Sequence, residues 1–147
     1  MKIQLLSEGA RVPERATGGA VAYDLFLPSE VKIMPGRQIV PLDIAIELPV
    51  GIEAKIEARS GFASKGMEDI DGVRRDADAL SGKIDYDYRG NICLIVNSHE
   101  KEPFTLAKGI RCAQMTFYRV ELLDMDVVDE LRKTDRGVGG FGHTGIL

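Results

Sequence analysis

Residues 82–91, Gly-Lys-Ile-Asp-Tyr-Asp-Tyr-Arg-Gly-Asn, combine two carboxylates, two tyrosines and a turn sequence. Alternate side chains of a strand point to opposite faces, so Asp85 and Asp87 share one face and Tyr88 lies on the other. Residues 89–91 are typical of a turn into a following strand. A carboxylate beside such a turn can act as a general base. The alternative is that both aspartates are solvated and form ion pairs with neighbouring basic side chains.

Residues 136–145 contain five glycines in ten positions and cannot build a core of their own. Backbone N–H groups in such a segment can converge on an anion, where Arg136 adds a positive charge and Thr144 a hydroxyl. Phe141 offers an aromatic face for stacking on a base. The segment is therefore either a lid over a nucleotide or an ordinary frayed terminus. It is not a Walker A loop, because Gly-Lys-Ser/Thr is absent.

A third polar group consists of Arg59, Ser60 and Gly61. It stands where an alternating strand ends and a single helical turn, residues 60–65, can begin. Backbone N–H groups and a hydroxyl at such a junction suit a phosphate. Taken alone, the tripeptide is common in proteins that bind nothing.

The elements that must position these residues are short strands, because apolar residues recur with a period of two and 16 glycines interrupt them. Eight or more such strands predict an all-β sandwich, jelly roll or barrel. Residues 44–48 and 52–59 are expected to pair as a hairpin through the turn at residues 49–51. The other predicted strands cover residues 2–6, 22–27, 30–34, 92–97, 104–106 and 111–122.

Two segments lack this alternation. Residues 67–81 are highly charged and are predicted to form a surface loop. Residues 126–133 fit either two turns of helix or a continuation of the strand pattern. Neither segment changes the predicted fold class.

Composition limits the possible functions. A chain of 147 residues and 16.1 kDa fits one domain, and a net charge of −4 argues against a protein that coats nucleic acid. The sequence contains neither a run of apolar residues long enough to span a membrane nor a signal peptide at its start, so we expect a cytoplasmic protein without membrane attachment. Cys93 and Cys112 lie in apolar segments and are expected to be buried free thiols.

Five segments, taken in their order along the chain, resemble the motifs of the trimeric deoxyuridine triphosphatases (dUTPases). The segments at residues 82–90 and 136–145 are highly specific to that family. The other three segments would not indicate the family without these two. The five are Ala-Val-Ala-Tyr-Asp-Leu at 20–25, Arg-Ser-Gly at 59–61, Gly-Lys-Ile-Asp-Tyr-Asp-Tyr-Arg-Gly at 82–90, Gly-Ile-Arg-Cys-Ala-Gln at 109–114 and Arg-Gly-Val-Gly-Gly-Phe-Gly-His-Thr-Gly at 136–145.

The resemblance implies hydrolysis of dUTP to dUMP and pyrophosphate. Asp85 would deprotonate the water that attacks the α-phosphorus, Tyr88 would lie under the deoxyribose, and Asp24 would have a supporting role. Mg²⁺ would be held mainly by the three phosphates and water, without a direct protein ligand. Uracil would be contacted by the backbone of Asn91, Ile92 and Cys93, and Phe141 would stack on it. The phosphates would be bound by Arg59, Ser60, Gly61 and Gln114. The γ-phosphate end would be bound by Arg136, Gly142, His143 and Thr144.

The family resemblance also implies an architecture. Residues 1–135 would form a jelly-roll-like β-barrel, and residues 136–147 a flexible tail that closes on a neighbour's site. Three chains would build three sites, each shared between all three subunits. Residues 120–128 would suit exchange onto another subunit.

The sequence departs from the family pattern in three places. His143 stands where serine is usual, Ile110 stands where an acidic residue is common, and the stretch between Ser60 and Asp85 is longer than usual. The alternatives to a dUTPase are a related dCTP deaminase and a non-catalytic binding protein on the same fold. The longer stretch is either a solvated insertion or a surface for a partner.

Overall fold

The computed structural model of the chain describes residues 1–140. Within this range the chain forms thirteen strands and one short helix. The strands are β1 (Lys2–Leu5), β2 (Tyr23–Phe26), β3 (Val31–Ile33), β4 (Gly36–Pro41), β5 (Ile44–Glu47), β6 (Ile52–Glu57), β7 (Met67–Glu68), β8 (Arg74–Arg75), β9 (Ala77–Leu80), β10 (Gly82–Ile84), β11 (Cys93–Ser98), β12 (Phe104–Leu106) and β13 (Arg111–Arg119), and the helix is α1 (Ser60–Lys65). No helix in the described range is long and apolar enough to cross a membrane.

The strands form small antiparallel sheets. A four-stranded sheet has the order β10-β6-β13-β2, and a three-stranded sheet has the order β4-β11-β9. Three further pairs are β1 with β5, β3 with β12, and β7 with β8. This arrangement is the jelly-roll-like, all-β fold that the sequence predicts.

The core lies between the sheets and is built by alternation along the strands. Ala54 and Ile56 of β6, Leu94 and Val96 of β11, and Met115 of β13 are all buried. The neighbours of these residues along β6 and β11 are more exposed, as a period of two requires. Full burial of each large apolar side chain contributes about 1.5–3 kcal/mol to folding.

The predicted hairpin between residues 44–48 and 52–59 is wrong. A turn does form, since the Ile52 N–H donates to the Pro49 carbonyl at 3.2 Å. However, β5 pairs with β1, whereas β6 pairs with β10 and β13. Three successive residues of β5, Ile44 to Ile46, are buried, so this strand packs inside the fold instead of alternating beside β6. The strand β4 is an element that the sequence analysis did not predict.

The prediction of a surface loop over residues 67–81 is also wrong. The segment contains β7, β8 and β9, and it buries Met67, Ala77 and Ala79. The turn between β7 and β8 is organised by Asp69, whose side chain is 2% exposed. Its carboxylate accepts hydrogen bonds from the backbone N–H groups at positions 71 and 73 and from Arg75 Nε at 2.7 Å.

Residues 120–134 form neither helix nor strand, so the two helical turns considered for residues 126–133 are absent. Apolar side chains in this segment face solvent, including Leu123, Met125 and Val127, which is fully exposed.

The expectation of two buried free thiols is correct for Cys112. It is wrong for Cys93, a free thiol that is half-buried.

Candidate functional site

A cleft opens where the chain passes from one sheet to the other. The strand β9 ends at Leu80 and pairs with β11, whereas β10 starts at Gly82 and pairs with β6. Because the chain moves away from β11 after Leu80, a gap of about 320 Å³ remains between β10 and β11. Asp85, Tyr88 and Cys93 are among its lining residues.

The strand β10 ends at Ile84, one residue before the pair of aspartates. The predicted strand alternation of Asp85 and Asp87 therefore does not form. Instead, the Tyr88 N–H donates to the Asp85 carbonyl at 3.1 Å, closing a tight turn. This turn brings Asp85 and Tyr88 to the same cleft, although alternation would have put them on opposite faces.

The basic neighbours of Asp85 have other partners. Lys83 Nζ lies 2.6 Å from Glu53 Oε2, and Arg89 Nη1 donates to the carbonyls of Tyr86 and Tyr88. Among residues 1–140, no ion pair or hydrogen bond occupies the Asp85 carboxylate. The alternative in which this carboxylate forms an ion pair with a neighbour is thus wrong for the described chain. An exposed, unpaired carboxylate in a cleft can accept a proton from a bound water.

Tyr88 is held by its own turn. Its hydroxyl donates to the Asn91 carbonyl at 3.1 Å, and Cys93 Sγ donates to the same carbonyl at 3.4 Å. The ring lies directly against Gly90, where a Cβ atom would overlap it. Glycine at position 90 is therefore required for this ring orientation.

The backbone at Cys93 is available to a ligand. The backbone groups of Ile92, one residue earlier, point towards Leu42 and Ile44, so those of Cys93 point to the opposite side, where the β9–β11 pairing begins only at Ile95. Ile92, by contrast, is buried, and both of its backbone groups are used: its N–H donates to the Ile44 carbonyl, and its carbonyl accepts from the Leu42 N–H. Burial raises the pKa of the Cys93 thiol, and the nearby Asp43 carboxylate raises it further, so the thiol is neutral at pH 7.

Asp43, which the sequence analysis did not single out, also contacts this region. Asn91 Nδ2 donates to Asp43 Oδ1 at 3.0 Å, across 48 positions of sequence. The only possible signal in the sequence is a polar residue between two apolar ones, Leu42 and Ile44, and that pattern is too common to identify it.

A second polar cluster surrounds Asp24, which is 9% exposed in β2. One carboxylate oxygen accepts from Arg59 Nε at 2.8 Å, and the other lies 3.3 Å from Arg111 Nη1. Gln114 lies opposite Asp24 in the β13–β2 pairing. Ser60, the first residue of α1, follows Arg59 directly. Asp24 therefore orients two guanidinium groups at one end of the main sheet.

The two clusters lie towards opposite ends of β6 in one chain. Ile84, next to Asp85, pairs with Ala54, whereas Arg59 follows the other end of the strand. Arg59 lies five positions after Ala54, which corresponds to about 16 Å of extended chain. The clefts that contain Asp85 and Arg59 share no lining residue. The structure thus brings Asp85, Tyr88, Asn91 and Cys93 together, but not with the Arg59 cluster.

Arg136 is exposed, and its Nε donates to the Gly139 carbonyl at 2.9 Å within its own segment. The other predicted residues of the tail, Phe141, Gly142, His143 and Thr144, lie outside the described residues.

Asp24 is the carboxylate of this cluster that could bind a metal ion directly. Both of its carboxylate oxygens are engaged by arginines, so they are not free to bind a cation. Residues 1–140 contain no group of three or more His, Cys, Asp or Glu side chains placed to hold a metal ion.

Comparisons with known proteins identify the family of the chain. The model of the dUTPase family matches residues 8–145. Curated relatives called deoxyuridine 5'-triphosphate nucleotidohydrolase include those of Desulfitobacterium hafniense, 43% identical over 92% of this chain and 88% of the relative, and Fowl adenovirus A serotype 1, 37% identical over 96% of this chain and 75% of the relative. A solved structure of the Staphylococcus bacteriophage 80alpha dUTPase with dUPNHPP aligns with a TM-score of 0.85 and 26% identity, covering 99% of this chain and 98% of that one. Because the family model matches nearly the whole chain and these relatives are similar over most of their own length, the chain belongs to the dUTPase family.

Proposed function

We propose that the chain hydrolyses dUTP to dUMP and pyrophosphate. The observation that carries this proposal is the unpaired carboxylate of Asp85 beside Tyr88 in the cleft of a dUTPase-family fold. The proposed setting is the cytoplasm, where the reaction would limit uracil incorporation into DNA and supply dUMP for thymidylate synthesis.

In the proposed reaction Asp85 is the general base. Its carboxylate accepts a proton from a water molecule as the water oxygen bonds to the α-phosphorus. The bond from that phosphorus to the oxygen bridging towards the β-phosphorus breaks, and pyrophosphate leaves with the electron pair. The proton on Asp85 then passes to solvent. The exposure of this carboxylate allows that return to the charged form between turnovers.

The base and sugar would be recognised in the same cleft. The backbone N–H of Asn91 and the backbone groups of Cys93 would hydrogen-bond the edge of uracil, since the Asn91 carbonyl and both backbone groups of Ile92 are already used within the protein. The Tyr88 ring, fixed against Gly90, would lie under the deoxyribose and exclude a 2′-hydroxyl.

The triphosphate would be bound by the second cluster of a neighbouring chain. Arg59, Ser60, Gly61 and Gln114 carry suitable donors, and Asp24 holds Arg59 in place. A separation of about 16 Å along β6 makes it unfavourable for one chain to place both clusters on one dUTP. We therefore propose a homotrimer with shared sites, in which the exposed apolar residues of 120–131 pack against another subunit. Mg²⁺, held by the phosphates and water, would offset the charge of the leaving group.

The tail would complete the site. Residues 136–147 would close over the bound nucleotide, with Arg136 and Thr144 at the phosphates and Phe141 over the base.

The test is incubation of the purified protein with dUTP, dCTP or UTP and Mg²⁺, with separation of the nucleotide and pyrophosphate products. We expect dUMP and pyrophosphate from dUTP, and little product from UTP. Formation of dUTP from dCTP would instead identify a deaminase. The Asp85→Asn variant is the matched control, and absence of dUTP turnover by the wild-type protein contradicts the proposal.

A further inference from the structure

Asp43 occupies an unusual place in the backbone. It has a φ of 55°, in the left-handed region, between the buried residues Leu42 and Ile44. Asp and Asn tolerate this conformation better than other side-chain-bearing residues do. The Asp43 carbonyl accepts from the Leu6 N–H at 2.8 Å, which fixes this backbone to the start of the chain. The backbone from which the carboxylate projects is thus held by the fold.

The partner of this carboxylate is central to the cleft. Asn91 Nδ2 donates to Asp43 Oδ1 at 3.0 Å, and the Asn91 carbonyl accepts from both Tyr88 and Cys93. Asn91 is thus tied to Asp43 through its side chain and to Tyr88 and Cys93 through its backbone carbonyl, so a shift of the Asn91 backbone would disturb the Tyr88 ring and the start of β11. The influence of the Asp43 charge on the Cys93 thiol is consistent with a carboxylate close to the cleft.

The orientation of the Asn91 amide is set by this contact. Its Oδ1 is buried and has no hydrogen-bond partner among the described residues, which is costly for a polar atom. The opposite orientation would place Oδ1 against the Asp43 carboxylate, oxygen to oxygen. The amide therefore keeps an unsatisfied acceptor because Asp43 requires a donor on the other side.

We infer that Asp43 is a positioning residue for nucleotide binding, acting through Asn91 on the base and sugar side of the cleft. This inference rests on the proposed function and adds to it a residue outside the five motifs. Asp43 is not among the residues that line the cleft beside Asp85, so it should affect affinity more than the chemical step.

Three substitutions separate the hydrogen bond from the backbone strain. Asp43→Asn keeps an oxygen acceptor and tolerates the left-handed φ. Asp43→Gly also suits that φ but removes the acceptor. Asp43→Ala removes the acceptor and adds strain. Asp71→Asn removes an exposed carboxylate in the β7–β8 turn, outside the site, and serves as the control for the loss of one surface charge.

The experiment measures KM and kcat for dUTP and the Kd of dUMP for each variant, with thermal unfolding as the check on folding. We expect Asp43→Gly to raise both KM and the Kd of dUMP by about tenfold, with a smaller change in kcat. Asp43→Asn and Asp71→Asn should remain within about twofold of the wild type, since neither loses the acceptor.

Unchanged KM and dUMP affinity in Asp43→Gly would overturn the inference, as would equal loss in Asp43→Asn. A lower unfolding temperature of Asp43→Gly with normal dUMP affinity would assign Asp43 to folding alone and would also overturn it. Failure of the proposed function is distinguishable, because in that case the wild-type protein itself does not turn over dUTP.

Discussion

Mixed trimers test the shared site directly, because the two polar clusters lie about 16 Å apart along β6 in one chain. The perturbation is a mixture of two inactive proteins, one with Asp85→Asn and one with Arg59→Ala. Each lacks one half of every site in its own homotrimer. In a mixed trimer, a site can receive Asp85 from one subunit and Arg59 from another.

The expected recovery follows from counting. In a random equal mixture, a site has one chance in two of an intact Asp85 and one in two of an intact Arg59. If these come from different chains, about a quarter of all sites contain both. If both came from the same chain, none would, because each protein carries one defect. The predicted kcat per site is therefore about a quarter of the wild-type value.

The assay uses subunits unfolded and refolded together, with mixed trimers verified by native mass spectrometry before dUTP turnover is measured. The control mixture contains Asp85→Asn and the double variant Asp85→Asn/Arg59→Ala, which cannot build an intact site in any arrangement. Activity at the level of this control, in a sample with verified mixed trimers, would refute the shared-site reasoning.

Four further outcomes are expected. Asp85→Asn should lower kcat by about 10² to 10⁴ while dUTP still binds, because an amide cannot take the proton of the water. Tyr88→Ala should lower total activity and raise the relative kcat/KM for UTP, because loss of the ring opens space below C2′. Deletion of residues 136–147 should lower kcat more than it weakens dUMP binding, and a non-hydrolysable dUTP analogue should slow hydrogen exchange in this tail. Burial alone raises the pKa of Asp69, but the bonds from Val73, Arg75 and Asp71 outweigh it and hold the pKa below its usual 3.8. The contribution of Asp69 to the free energy of unfolding is thus fully present above its unfolded-state pKa, and it is lost as the pH falls through the lower pKa of the folded state.

Each of these has its own contradicting result. Near-normal turnover of Asp85→Asn would remove it from the mechanism, and an unchanged dUTP-to-UTP ratio in Tyr88→Ala would show that the ring does not select the sugar. Normal turnover of the truncated chain, with fast exchange in the tail with and without ligand, would identify a frayed terminus. For Asp69, unfolding is followed by denaturant titration from pH 7 to pH 2. An Asp69→Asn variant whose stability falls with acid as steeply as the wild type would contradict the assignment.

Much of the fold follows from local pattern. Strict alternation places the buried side chains of β6 and β11, and the predicted residues 104–106 coincide with β12. Alternation reports which face of a strand is buried, but it does not report which strand lies beside it. For that reason the pairing of β5 with β1 was not predictable from the turn at residues 49–51. In residues 67–81, the alternation of Ala77, Asp78 and Ala79 was a usable signal for β9, concealed by the charges around it.

The sequence by itself determined the chemistry of the Asp85 cleft. The residues that could act as base, sugar platform and backbone recognition lie within nine positions, from Asp85 to Cys93, so their backbones are close in any fold, although only the turn from Asp85 to Tyr88 brings both side chains to one cleft. Only the tertiary structure decided how they are held. Asp43 reaches Asn91 across 48 positions, and a change of sheet between Leu80 and Gly82 opens the cleft. Contacts of this kind depend on the packing of distant segments, which no local pattern of side chains records.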